Sequence, residues 1–255
     1  MANPRDYLAQ AITNICHKLD QKGWVANHDG NVSVSFEGKL LTTPTAISKA
    51  EMEPALVLTL DMAGNKLEGI GKPFSEIKLH LAAYRSRPDV KAVVHAHPPF
   101  AMARGMVGRE FLVQVPEAVV SIGAEIPVLP YVKPGAVENE TLISAALTGC
   151  DVMMMAGNGV LAVGRDVQEA YLRIELLEHL LKIDYYAHTM GTPMTLPAAD
   201  KQSLMEKRAA LGFVVPTASV PLIVPAHSEL PAPADQNQLI KDLIAQELKK
   251  VLQQK

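Results

Sequence analysis

Two histidines stand two residues apart where an apolar run ends, in the segment AVVHAHPPF that covers residues 92–100. Residues i and i+2 of a strand share a face, so His95 and His97 are expected to project side by side. Neutral imidazole suits zinc, iron, copper or nickel, and two neighbouring rings can chelate one cation. On spacing alone the pair is equally compatible with structural or surface histidines. Glu76 opens the helical stretch before this strand, where a helix dipole favours a carboxylate and a cation at the strand end is within reach. A plain first-turn glutamate fits the same place. Small polar residues at turns and strand ends, Asn31 and Ser33 in DGNVSVS and Thr43 and Thr45 in TTPT, can bind a substrate's oxygens or serve ordinary turn chemistry.

The elements that must position these groups follow from periodicity. Apolar residues at helical spacing predict a first helix over residues 6–22, closed by Gly23. NVSVSF and KLLTT flank Glu37-Gly38 as a β-hairpin. LVLTLD is a further strand, and residues 75–87 form a helix that Pro88 closes. VKAVVHAH alternates as a strand, stopped by Pro98 and Pro99, which offer no ladder donor. AEIPVLPY reads as one short strand and residues 138–148 as a helix, while DVMMMA and GVLAVG are strands around a GNG turn. Asp166 with Glu169 forms a capping box for a helix running to about His188. Helices interspersed with strands, several in hairpins, predict an α/β fold with a mixed sheet covered by helices. No GxGxxG follows a strand, which argues against a dinucleotide fold.

At 255 residues and 48% hydrophobic content, one compact domain with a terminal extension is expected. The expected division is a domain over residues 1–212, a proline-rich linker over 213–234, and an amphipathic helix over 235–255 with Ile240, Leu243, Ile244, Leu248, Val251 and Leu252 on one stripe. That helix needs a surface, on its own domain, a sister subunit or another protein. A net charge of −3 gives no reason to expect nucleic acid or an anionic membrane. Two cysteines without CxxC spacing are expected as buried free thiols. The N-terminus lacks the apolar block of a signal peptide and no run approaches a membrane span, so a cytoplasmic location is expected.

Taken in order, GNVSVSFEGKLLTTPTAIS, GKPFSEIKLHLAAYRSRPDVKAVVHAHPPFA, IPVLPYVKPG and GVLAVGRDVQEAYLRIELLEHLLKI resemble the class II aldolase and adducin family, nearest to the L-fuculose-phosphate and L-rhamnulose-phosphate aldolases, over about residues 5–190. The resemblance implies a three-layer α-β-α sandwich with a mixed central sheet, assembled as a homotetramer. It implies that His95 and His97 are two of three ligands to Zn2+ or another divalent metal and that Glu76 is the catalytic acid/base, able to approach the metal. It places Asn31, Thr45 and Ser75 at positions that bind a sugar phosphate's oxygens. Dihydroxyacetone phosphate and an aldehyde would be the products, with Tyr131 a proton donor by type only.

Three departures stand out. Asn158 occupies the third ligand position before Gly159, and an amide oxygen is a far poorer zinc ligand than imidazole. The site is then weakened or completed by something else: Glu76 with water is one candidate, and His179 on the next helix is another. Phe74 stands where a phosphate-binding serine is expected, and Ala46 replaces a glycine. These departures keep a second class of function open, a non-catalytic, adducin-like binding module, and epimerases, dehydratases and decarboxylases share the enediolate chemistry. The tethered C-terminal helix resembles the encapsulation peptides that carry enzymes to shell proteins of bacterial microcompartments.

Overall fold

The computed structural model describes residues 3–131 and 137–216, and the expected C-terminal helix and all of the linker past residue 216 lie outside the described residues. In chain order the elements are α1 (Pro4–Gln21), β1 (Asn31–Phe36), β2 (Lys39–Thr42), β3 (Leu58–Asp61), β4 (Lys66–Glu68), α2 (Ile77–Ser86), β5 (Ala92–Ala96) and α3 (Pro99–Val107). They continue through β6 (Phe111–Leu112), α4 (Pro116–Ile122), β7 (Glu125–Ile126), β8 (Val128–Leu129), α5 (Val137–Ala146), β9 (Val152–Met155), β10 (Val160–Gly164), α6 (Val167–Met190) and α7 (Ala198–Ala210).

An eight-stranded sheet has the order β4-β3-β2-β1-β5-β10-β9-β8. Its ladders are antiparallel except for β8 on β9, so the sheet is mixed. Strand alternation sorts its side chains onto two faces. Val32, Val94 and Ala162 pack with Ile12 and Leu19 of α1 and Ile174 and Leu177 of α6. Val93, Leu161 and Met153 point the other way, onto Leu79 and Ala83 of α2 and Ile143 of α5. Helices therefore cover both sides, giving the three-layer sandwich. Both cysteines are free and buried.

The β1–β2 hairpin turns on Glu37 and Gly38, whose φ of +48° and +72° are the two left-handed residues a two-residue loop with right-handed strand twist demands. Asp166 caps α6 by accepting from the Glu169 N–H. The return bond from Glu169 reaches the Arg165 N–H, one residue before the cap, so the expected capping box is shifted at one arm.

The single strand expected over AEIPVLPY is two. Pro127, lacking a ladder donor, separates β7, which pairs with β6, from β8, which joins the main sheet. The hairpin strand β4 and helices α3, α4 and α7 are further elements that periodicity did not mark. Beyond α7 the chain still packs: the Phe213 ring lies 5.1, 5.3 and 5.7 Å from the guanidinium carbons of Arg208, Arg165 and Arg173. Asp151, 1% exposed, anchors this knot by pairing with Arg87, Arg173 and Arg208.

Candidate active site

His95 lies in the middle of the sheet, opposite Asn31 on β1 and Leu161 on β10, and faces α2. It is buried, and its Nδ1 sits 2.9 Å from the Val160 carbonyl oxygen. A carbonyl only accepts, so Nδ1 carries a proton and Nε2 is the ring nitrogen turned toward His97 and Glu76. Strand β5 ends at Ala96, and His97 is held outside it by its backbone N–H donating to the Trp24 carbonyl at 2.8 Å. The two rings nevertheless meet: their Nε2 atoms are 3.1 Å apart. Asp29 lies 3.5 Å from His97 Nδ1 and favours the proton there. Burial, followed by the neighbouring His95, lowers the His97 pKa and disfavours its charged form.

Two imidazole nitrogens at this distance share either a proton or a cation. Ligands at about 2.0–2.1 Å from one tetrahedral ion are separated by about 3.3 Å, close to the gap seen. By this test the pair fits two corners of a metal site. Among the described residues, no group of three or more His, Cys, Asp or Glu side chains is arranged to hold a metal ion.

Glu76 is the N-cap residue of α2, but its carboxylate makes no capping bond to the helix. It turns instead into the site, with Oε2 at 3.4 Å from His95 Nε2. The amide of Asn158 donates to Oε1 at 2.7 Å and that of Asn31 to Oε2 at 3.2 Å. Burial raises the carboxyl pKa, yet His95 and the two amide bonds outweigh it and hold Glu76 below the ordinary glutamate value.

The GNG turn presents Asn158 to this carboxylate. Gly157 and Gly159 have φ of +70° and +75°, and a Cβ on Gly159 would collide with the Ala96 carbonyl and the His97 ring. Glycine there lets the turn press against the histidine pair. Tyr131 is exposed, and its ring lies 3.8 Å from where a Cβ on Gly157 would stand, beside the same turn.

Thr45 and Ser75 are exposed, on adjoining segments joined by the Pro44–Pro73 bridge and a bond from the Thr45 N–H to the Lys72 carbonyl. Phe74 is buried, its ring edge-on to His80 at 4.9 Å, so it packs inward between these loops and α2. Ala46 has φ of +60°, the backbone conformation glycine adopts without strain. His179 lines a cleft with Lys22, Trp24 and Phe100, a cleft that neither His95 nor His97 lines.

Ser33, considered for substrate binding, is fully buried and bonds His80 Nδ1 at 2.7 Å and Tyr84 Oη at 2.8 Å. His80 and Asp29 were not singled out from the sequence. The spacing of His80 one turn after Glu76 was the available signal for it.

The fold and this site define a class. Residues 10–185 match the model of the class II aldolase and adducin N-terminal domain, and the chain belongs to that family. An L-fuculose phosphate aldolase of Methanococcus maripaludis is 29% identical over 177 residues, 69% of this chain and 95% of that protein. A 3-oxo-tetronate 4-phosphate decarboxylase of Escherichia coli is 29% identical over 181 residues, 69% of this chain and 85% of that protein. A solved L-fuculose 1-phosphate aldolase structure superposes with a TM-score of 0.74 at 26% identity, covering 81% of this chain and 97% of the other.

Proposed function

We propose that this chain is a divalent-metal-dependent lyase that cleaves a ketose 1-phosphate, such as L-fuculose 1-phosphate or L-rhamnulose 1-phosphate, to dihydroxyacetone phosphate and an aldehyde. The observation that carries this reading is the convergence of the His95 and His97 Nε2 atoms, 3.1 Å apart, beside the Glu76 carboxylate. His95 and His97 would hold Zn2+ or another divalent ion, which supplies a Lewis acid for the negative charge that develops as the carbon–carbon bond breaks. Glu76, fixed by Asn31 and Asn158, would deliver to the carbon that becomes part of dihydroxyacetone phosphate the proton released by the hydroxyl that becomes the aldehyde. Thr45 and Ser75, exposed on neighbouring loops, are assigned to the substrate's phosphate, and Tyr131 beside the GNG turn to the aldehyde oxygen.

Asn158 favours a second reading, a metal-impaired member that binds without catalysis. A decarboxylase, epimerase or dehydratase would also use this enediolate chemistry, and the decarboxylase relative keeps that arm in the substrate screen. We assign the protein to a homotetramer in the cytoplasm, with the 235–255 segment addressing a microcompartment shell protein. No helix among the described residues is long and apolar enough to cross a membrane.

The test is release of dihydroxyacetone phosphate from both ketose phosphates by the zinc-loaded protein and by Asn158→His. Activity in the parent chain supports the lyase. Binding of a ketose phosphate without turnover, with activity only in Asn158→His, supports the second reading.

A further inference from the structure

Two buried polar atoms near Glu76 have no hydrogen-bond partner among the described residues, Oδ1 of Asn31 and Nε2 of His80. Asn31 is 4% exposed and His80 is 0% exposed. A polar group left unpaired in the interior costs at least as much as a lost hydrogen bond, so two at one place need a reason. Asn31 touches Glu76 directly, its Nδ2 donating to Oε2 at 3.2 Å. His80 stands one helical turn along α2 from Glu76, near enough for His95 and the carboxylate to act on its charge.

The protons behind His80 are placed one by one. Burial pushes the Tyr84 pKa above its ordinary value, so the phenol keeps its proton. Ser33 Oγ, at 2.8 Å, is the acceptor that this proton has among the described residues. The Ser33 hydroxyl is then left with His80 Nδ1, at 2.7 Å, and donates to it. Burial lowers the His80 pKa to about 3 and keeps the ring neutral. With Nδ1 an acceptor, its single proton is on Nε2. The reverse order would leave the Tyr84 proton without an acceptor and a bare Nε2 lone pair near a carboxylate.

Strand geometry brings the two unpaired atoms to one place. Asn31 and Ser33 are two residues apart on β1 and share the face that looks at α2, so a ring seated on Ser33 stands beside Asn31. One atom is a donor without an acceptor, and the other is an acceptor without a donor.

We infer that His80 is a positioning residue for Glu76, acting through one buried water that accepts from His80 Nε2–H and donates to Asn31 Oδ1. The hydrogen bonds then run in one direction, from Tyr84 through Ser33, His80, the water and Asn31 to Oε2 of Glu76. That order turns the amide N–H of Asn31, and not its oxygen, toward the carboxylate, and holds Glu76 in one orientation for the substrate. Because the chain starts at a buried phenol that keeps its proton, it orients Glu76 and does not supply it with protons. The inference rests on the role given to Glu76 in the proposed function and uses no metal.

The first measurement is 15N–1H correlation NMR of the full chain labelled at histidine, at neutral pH, with the His80 signals assigned by their loss in His80→Gln. A neutral ring with its proton on Nε2 is expected, and Ser33→Ala should shift it toward a mixture of both tautomers. A proton on Nδ1 of the parent, or a charged ring, would overturn the inference. The second is turnover of L-fuculose 1-phosphate and L-rhamnulose 1-phosphate. His80→Leu and Ser33→Ala should lower kcat by about tenfold, the scale of one buried hydrogen bond, and move KM by less than about twofold, since Thr45 and Ser75 still meet the substrate. His80→Gln, whose amide accepts from Ser33 and donates to the water, should keep kcat within about threefold of the parent. Should His80→Leu not fold, Tyr84→Phe takes its place, with a loss of kcat in the same direction.

A merely structural role would lower thermal midpoints and leave kcat per folded molecule at the parent value in every variant, and that pattern would overturn the inference. A parent chain that cleaves neither ketose phosphate removes the lyase assignment. The His80 tautomer and a crystallographic water between His80 Nε2 and Asn31 Oδ1 then decide the inference: both present sustain it, and the lack of either overturns it.

Discussion

Gly159 is the point where backbone conformation and the geometry of the histidine pair are tied together, and Gly159→Ala tests both. Its φ of +75° lies in the left-handed region, which costs an alanine about 1–2 kcal/mol. The added Cβ would meet the Ala96 carbonyl oxygen and the His97 ring well inside van der Waals contact. To restore ordinary separation one side must retreat by about 1 Å. Overpacking of this kind costs about 1–3 kcal/mol, so the total is about 2–5 kcal/mol. In urea unfolding, with a slope of about 2 kcal/mol/M, the midpoint should fall by about 1–2.5 M. The same retreat moves His97 away from His95, and a metal site tolerates only about 0.2 Å in its bond lengths. Zinc affinity should therefore fall at least about tenfold, a loss that stability alone would not produce. A Gly159→Ala protein with the parent's unfolding midpoint and zinc affinity would refute the close approach of the turn to the histidine pair.

Three further outcomes follow from other parts of the molecule. Asp151→Ala removes the anion between Arg87, Arg173 and Arg208 and strands the buried Arg208; the expected loss is about 3–5 kcal/mol, a drop of about 6–20 °C in thermal midpoint by calorimetry. Ala46→Gly relieves left-handed strain of about 1–2 kcal/mol against an entropy cost of about 0.5–1 kcal/mol, so the midpoint should rise by about 1–4 °C; a fall would show that the Ala46 methyl is needed. Burial, followed by the nearby His95, pushes the His80 pKa down from 6.5 to about 3. Between those values the unfolded chain binds a proton that the native one does not. The contribution is thus complete above pH 6.5 and declines by about 1.4 kcal/mol per pH unit as pH falls toward 3. His80→Gln should flatten acid unfolding across that window relative to the parent, and an unchanged slope would mean that His80 is protonated in the fold.

The sequence carried much of the sheet because its signals there are local. Alternation in VKAVVHAH, the Glu37-Gly38 turn and the apolar repeats of α1 and α6 each correspond to elements in the structure. Where expectation and fold part, tertiary context decides. Pro127 divides one apolar run between two sheets, and α4 and α7 are short helices held by packing, Arg208 of α7 donating to the Val120 and Ser121 carbonyls. At the site, the pairing of His95 with His97 and the nearness of Glu76 were legible from spacing and order. The clamp on Glu76 was not, because Asn31, Glu76 and Asn158 are joined only when β1, α2 and the β9–β10 turn come together. The same holds for Ser33, whose side chain reads as a substrate donor in sequence and is buried against His80 and Tyr84 in the fold.

The proposed chemistry depends on one cation between two imidazoles, and a crystal structure of the zinc-loaded protein, with anomalous data at the zinc edge, tests it most directly. The predicted result is a single strong peak about 2.0–2.1 Å from Nε2 of both His95 and His97. An empty gap with the rings turned apart, or a peak that touches neither histidine, would contradict it.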